Sequence, residues 1–307
     1  MKNPNAKQHA KAQKVLEKYE KQLLSYNGVF EVALGFPIIN DKMDFSALEI
    51  LVYVHQKKPV KDLSEAEIIP EELEGVKIDI IESHPQEQNN LDDILDGIVN
   101  PLLGGIKIGS VKLNNSGTLG MIVQHQTNGK LLGLTNWHVI KRRKGRRGNP
   151  IVQPGYKPNS IKYRIGNLYR WNKKLDCAVF EINKHRKLNA ANSIYEINGK
   201  INKTQEPFIG MKVMKTGAKT GLTHGIVSSV SSDKIKIRMV PNPAKPSIDN
   251  ELSDAGDSGS IWVTDEAKPK AVALHWGGDK SQSAITEFSL ANSLNVIFKT
   301  LELKFRD

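Results

Sequence analysis

The chain has 307 residues, 39% of them hydrophobic, and 44 Lys and Arg against 33 Asp and Glu give it a formal net charge of +11. That length allows about two domains, each with its own core, and no stretch of about 18 apolar residues offers a membrane span. The single cysteine, Cys177, excludes an internal disulfide, and Met1 to Lys7 leads into charged sequence instead of an apolar signal core, so the expected location is the cytoplasm.

In chain order, Gln8 to Leu24 places Val15, Leu16, Tyr19, Leu23 and Leu24 at helical spacing between lysines and glutamates, which predicts an amphipathic helix. Gly28 to Gly35 and Ala47 to Val54 read as strands around a polar loop at Asn40, Asp41 and Lys42. Lys61 to Glu74 carries turn and helix signals, and Val76 to Ile81 alternates as a third strand. The α-β-β-α-β order predicts a small helix-on-sheet module over residues 1–84 with a regulatory or partner-binding role, since it holds no nucleophile, metal cluster or phosphate loop. Residues 85–100 form the linker, polar and acidic before Leu91 and helix-like through Ile94, Leu95 and Ile98. From Pro101 the rhythm changes to short strands and glycine-bearing turns, which predicts two packed antiparallel barrels over residues 101–307, with Leu290 to Phe298 as a terminal helix. Charge divides at the same place: residues 1–100 carry a net −7 and residues 101–307 a net +18, so the two parts attract.

The chemistry concentrates in Asp254-Ala255-Gly256-Asp257-Ser258-Gly259-Ser260, which sets one serine among small residues just before the apolar strand Ile261-Trp262-Val263. Flanking glycines let the backbone turn sharply, and the amides of Gly256 and Ser258 can point at one oxygen as an oxyanion hole. A serine hydroxyl needs a histidine to take its proton and a carboxylate to orient that histidine. Candidates are His138, at the end of the apolar run from Leu131, and Asp176, at the head of another. Cys177 follows Asp176 on the opposite strand face and reads as a packing residue.

The order His138, Asp176, Ser258 and the segments Thr135-Asn136-Trp137-His138-Val139, Asp176-Cys177-Ala178-Val179-Phe180 and Gly256-Asp257-Ser258-Gly259-Ser260 resemble the chymotrypsin-like serine proteases. Val213 to Val230 is similar to the hairpin that opens the second barrel in bacterial members. The resemblance implies a mainly β, chymotrypsin-like double antiparallel β-barrel, preceded here by a small α/β module. It also implies a His138-Asp176-Ser258 triad cleaving peptide bonds in protein or peptide substrates. His275-Trp276-Gly277-Gly278 resembles the glutamyl endopeptidases, which implies that this strand lines the substrate backbone and that His275 and Ser253 grip an acidic side chain before the cut. Asp257 stands where those enzymes carry asparagine, and in chymotrypsin-like zymogens that aspartate meets a newly cut amine, so here another cation, solvent or an activation event must meet it. Residues 1–84 resemble the module attached to bacterial trypsin-like proteases that are related to the narrow-leaf proteins of plants.

Lys141-Arg142-Arg143-Lys144-Gly145-Arg146-Arg147 is the densest charge. It reads as a solvated or substrate-steering loop, with nucleic acid as the alternative partner. Two rival functions follow: a catalytically silent scaffold with a protease fold, and a nucleic-acid-associated protein. The histidines show no zinc-site spacing, so no metal or cofactor is expected.

Overall fold

The computed structural model describes residues 6–39, 42–44, 46–64, 67–83, 86–87, 97–155, 163–188, 192–231, 234–239, 252–279 and 288–306. The helix-like part of the linker falls mostly on residues 88–96, outside the described residues.

The chain opens with α1 (Ala6–Leu23) and β1 (Val29–Gly35), followed by the small hairpin of β2 (Ile38–Ile39) and β3 (Lys42–Met43) and then β4 (Glu49–Val54). β5 (Glu72–Leu73), β6 (Val76–Glu82) and β7 (Gln86–Glu87) complete the N-terminal part. The apolar stripe of α1, with Ala12, Val15, Leu16 and Leu23 buried, lies on Val32, Leu34, Ile50 and Val52 of one sheet face. β1 pairs antiparallel with β4, and β4 pairs parallel with β6. The second helix expected over 61–74 is absent among the described residues: one 3₁₀ turn, Val60–Asp62, is followed by a β5–β6 hairpin. Pro59 and Pro70 lack amide donors. Glu74 and Gly75 turn the chain at φ 48° and 73°, the positive values a two-residue hairpin turn demands.

The first barrel region holds β8 (Lys107–Ser110), β9 (Asn115–Thr118), β10 (Met121–His125), β11 (Leu131–Asn136), the short α2 (Trp137–Ile140), β12 (Pro150–Val152), β13 (Arg164–Asn172) and β14 (Cys177–Ile182). The second holds β15 (Lys212–Gly217), β16 (Gly221–Val230), β17 (Lys234–Met239), β18 (Ile261–Thr264), β19 (Ala271–Asp279) and β20 (Phe288–Ser293), and the chain ends with α3 (Leu294–Leu301) and β21 (Leu303–Phe305). The second set closes into a six-stranded barrel, because β15 also pairs with β16, while the first remains an open half-barrel in the order β21-β10-β11-β14-β13-β12-β8-β9. Leu290 to Asn292 pair with both β17 and β19, so the terminal helix begins later than its sequence suggests.

Ile106, Ile108, Leu119 and Phe180 fill the half-barrel, and Val213, Val227, Ile237 and Trp262 fill the closed barrel. Between them Leu134, Val179, Ile261, Leu274 and Ile297 form a shared core. Burying each such side chain stabilises the fold by roughly 1.5–3 kcal/mol. β21 pairs with β10, which carries the C-terminal segment back to the half-barrel. The N-terminal sheet is continuous with the closed barrel: β1 pairs with the end of β16 at Leu34↔Val230 and Gly35↔Ser229. A Cβ at Gly35 would collide with Ser228, Ser229 and Leu51, so that junction needs glycine.

Candidate active site

β11 pairs with β14 up to Asn136↔Cys177, which sets the start of α2 beside the turn that ends in Asp176. Asp176 sits at φ 44° and presents its carboxylate to the next segment. One oxygen, Oδ2, lies 2.6 Å from His138 Nδ1, and the other accepts the His138 backbone amide at 3.0 Å. The Asp176 carbonyl accepts Asn136 Nδ2 at 2.8 Å and the Trp137 amide at 3.1 Å. An acceptor at Nδ1 places the proton of a neutral ring there and leaves Nε2 as the open acceptor. Nε2 is buried and makes no hydrogen bond.

Ser258 lies in a tight loop closed by Asp257 N to Asp254 O (3.0 Å) and Ser260 N to Asp257 O (2.9 Å), with Gly256 at φ 118° and Gly259 at φ 102°. The loop docks on β9 of the half-barrel. Thr118 donates its hydroxyl to the Gly256 carbonyl and its amide to the Ser258 carbonyl, both at 2.8 Å. A Cβ at Gly117 would meet both Val139 beside His138 and the Ser258 carbonyl, so β9 is the surface that brings the two segments together. Ser258 is buried, and its Oγ donates to the Trp276 carbonyl at 3.3 Å.

The cation that meets Asp257 is Lys215. Its Nζ reaches Asp257 Oδ2 at 2.8 Å with both side chains fully buried. The same carboxylate accepts the Thr220 hydroxyl at 2.6 Å and the amides of Lys219, Thr220 and Asp254 at 3.0–3.1 Å. Burial opposes the Asp257 charge, but Lys215, His275 and these hydrogen bonds together hold its carboxyl below the ordinary range. A Cβ at Gly217 would collide with this carboxylate. The available signal was periodicity: Lys215 shares the inward face of β15 with Val213, an unusual place for a lysine.

Of the residues expected to bind substrate, His275 is fully buried and paired through its backbone with the serine loop (N to Ser260 O 2.9 Å; O from Gly259 N 3.0 Å). Burial, and then Lys215, pushes its imidazole down to about 3, so it is neutral at ordinary pH. The buried Ser253 accepts the Ser289 hydroxyl at 2.6 Å. Trp276 meets Ser258 through its carbonyl, and the next residue, Gly277, lies between Leu290 of β20 and Glu87 of β7.

With this geometry the chain is similar to a glutamic acid specific serine protease reported to use a novel histidine triad in substrate binding. The match has a TM-score of 0.50 and 15% identity over 67% of this chain and 100% of that one. The fold is that of the bacterial chymotrypsin-like serine proteases. Thermobifida fusca protease A aligns with a TM-score of 0.48 at 16% identity, over 66% of this chain and 97% of that chain. Cellulomonas bogoriensis chymotrypsin aligns at 0.47 and 18%, over 66% and 97%. No protein-family model matches the chain, and no curated protein sequence does.

Two further sequence candidates take their places around this chymotrypsin-like frame. Cys177 is buried in the core between the barrels, and burial raises its thiol to about 12, so it packs and does not ionise. The basic loop follows α2 directly, with Arg142 Nε on the His138 carbonyl at 3.1 Å. Aromatic rings missing from the loop's own sequence come from elsewhere. Lys141 lies 4.7 Å from the Trp171 ring and Arg147 4.7 Å from Tyr169, and outside the loop Lys173 lies 5.7 Å from Trp137.

Proposed function

We propose that the chain is a serine endopeptidase. The observation that carries this reading is the two-oxygen clasp of Asp176 on His138, with Nε2 left open, in a chymotrypsin-like fold that docks Ser258 on the adjoining strand. Ser258 Oγ turns from the Trp276 carbonyl toward His138 Nε2, gives up its proton there and attacks the carbonyl carbon of the scissile bond. The amides of Gly256 and Ser258 bind the developing oxyanion, a contribution of about 10²–10³ in rate per donor in comparable sites. His138 then protonates the leaving amine, takes a proton from water to split the acyl ester, and returns it to Ser258. Asp176 keeps the ring in one tautomer and stabilises its cation. Lys215 supports assembly of the serine loop without a newly cut amine, because it already neutralises Asp257.

Within this reading the preferred residue before the cut is acidic, gripped by His275 and Ser253. A neutral, buried His275 contributes a hydrogen bond first and a charge only after an incoming carboxylate raises its proton affinity. Residues 1–84 regulate the enzyme or receive a partner protein, which the continuous β1–β16 pairing supports, and the cytoplasm is its proposed location. A fluorophosphonate ester tests the central claim: at neutral pH it should add once, to Ser258, and not to Ser258→Ala or His138→Ala. No adduct on the folded wild-type chain would reject the triad.

A second reading rests on the cation–ring pairs beneath Lys141 to Arg147, which suit a single-stranded nucleic acid. Its signature would be a gel shift that weakens steeply as salt rises. No shift at low salt removes it.

A further inference from the structure

We propose that β7 is a built-in occupant of the edge on which a substrate backbone must pair, so that Gln86 and Glu87 hold the enzyme in a self-blocked state. The proposal rests on the serine-endopeptidase reading of Ser258.

β19 has two edges. β20 covers one of them, including Gly277↔Leu290 and Gly278↔Ser289. β18 covers the other only as far as Leu274, because the chain preceding β18 folds into the serine loop. On that second edge His275 pairs with Gly259 and Ser260, and the Trp276 carbonyl receives Ser258 Oγ. The next two residues outward, Gly277 and Gly278, pair antiparallel with Glu87 and Gln86. In this register the direction from Gln86 to Glu87 runs toward Ser258. An extended peptide presenting a carbonyl to Ser258 needs the same edge and the same polarity, with its carboxyl-side end leading to the nucleophile. A strand edge accepts one chain at a time.

The tether to the N-terminal part is short. β6 pairs with β4 up to Val54↔Glu82, and the Ser83 amide still bonds the Val54 carbonyl at 3.0 Å. Only residues 83–85 separate β6 from β7. The same N-terminal sheet is seated on β16 through β1. The module therefore grips one barrel at two edges, and its seat on β16 fixes the reach of β7 to β19. A partner that shifts the module withdraws the strand.

The test uses the full chain with Gln86→Pro/Glu87→Pro, which removes both backbone donors of β7. Gln86→Ala/Glu87→Ala, which keeps them, is the control. In a Ser258→Ala background, whichever of the Gly277 and Gly278 amides faces β7 should exchange about tenfold faster in the proline pair, the size of the two reciprocal hydrogen bonds that one of these facing pairs exchanges, while the other amide, which faces β20, should not change. A fluorescein-labelled peptide spanning residues 82–90 should bind about tenfold tighter by the same reasoning. With Ser258 present, KM for extended peptide substrates should fall by about the same factor with kcat unchanged. Fluorophosphonate labelling, which needs no strand edge, should not change, and the alanine pair should behave as wild type throughout. Unchanged exchange and unchanged peptide binding in the proline pair would overturn the proposal. Faster exchange with no Ser258-dependent labelling in any chain would instead sink the endopeptidase reading while upholding the strand contact.

Discussion

The half-barrel and the closed barrel hold their shares of the site by different means. His138 and Asp176, 38 residues apart, are fixed by hydrogen bonds between the start of one helical turn and the end of one hairpin, which the β11–β14 pairing brings together. The loop that carries Ser258 holds a buried ion pair between Lys215 and Asp257, 42 residues apart, and the Ser258 hydroxyl rests on the Trp276 carbonyl. On the serine-endopeptidase reading, the proposed base is thus oriented before substrate arrives, whereas the proposed nucleophile has a rotation still to make. One side is secured by hydrogen bonds at the ends of two paired strands and the other by an ion pair deep in a barrel.

Substitutions can break this contrast, beginning with the largest effects. Ser258→Ala or His138→Ala should lower kcat by about 10⁴ or more, and Asp176→Asn by about 10⁴ through loss of the tautomer. Single-turnover assays of the purified variants measure these losses, and normal melting would show that the site and not the fold is affected. Lys215→Met should remove about 3–5 kcal/mol of stability by leaving a buried carboxylate unpaired. Urea unfolding would show it, and an unchanged midpoint would mean that the serine loop does not depend on this pair.

Protonation sharpens the comparison further. His275 binds its proton near pH 3 in the folded chain against an ordinary 6.5, so the unfolded chain holds more protons between those values. Stability should therefore fall as pH drops from 6.5 toward 3, with Asp257 adding its own loss below its ordinary 3.8. Thermal midpoints at pH 7, 5 and 4 should decline less steeply in His275→Gln. A shift of the same size sits where the N-terminal sheet meets the closed barrel. Burial lowers Lys236 to about 7 despite Glu31 at 3.4 Å, so its contribution to stability should grow from pH 7 toward 10.5 and vanish from the slope in Lys236→Met. A pH slope identical in wild type and variant would remove Lys236 from that account.

The same contrast explains what the sequence disclosed. The helix α1, the strands of the N-terminal sheet and the neighbourhoods of His138, Asp176 and Ser258 are written in contiguous residues, so periodicity and motif reach them. Lys215, the Tyr169 and Trp171 rings near the basic loop, and the pairing of Gln86 and Glu87 with β19 are not. Each depends on which strands become neighbours, and alternation within one strand does not specify its partners. The helix expected at 61–74 lost to Pro70 and to the turn at Glu74 and Gly75, and the early start expected for α3 lost to the pairing of Leu290 to Asn292.

Cleavage of a diverse peptide library at neutral pH, with sites read by mass spectrometry in wild type, Gln86→Pro/Glu87→Pro and Ser258→Ala, tests the central claim most directly. Wild type should cut, favouring bonds after Glu or Asp, the proline pair should cut more, and Ser258→Ala should not cut. Cuts that persist without Ser258, or no cuts from either of the other two chains, would contradict that claim.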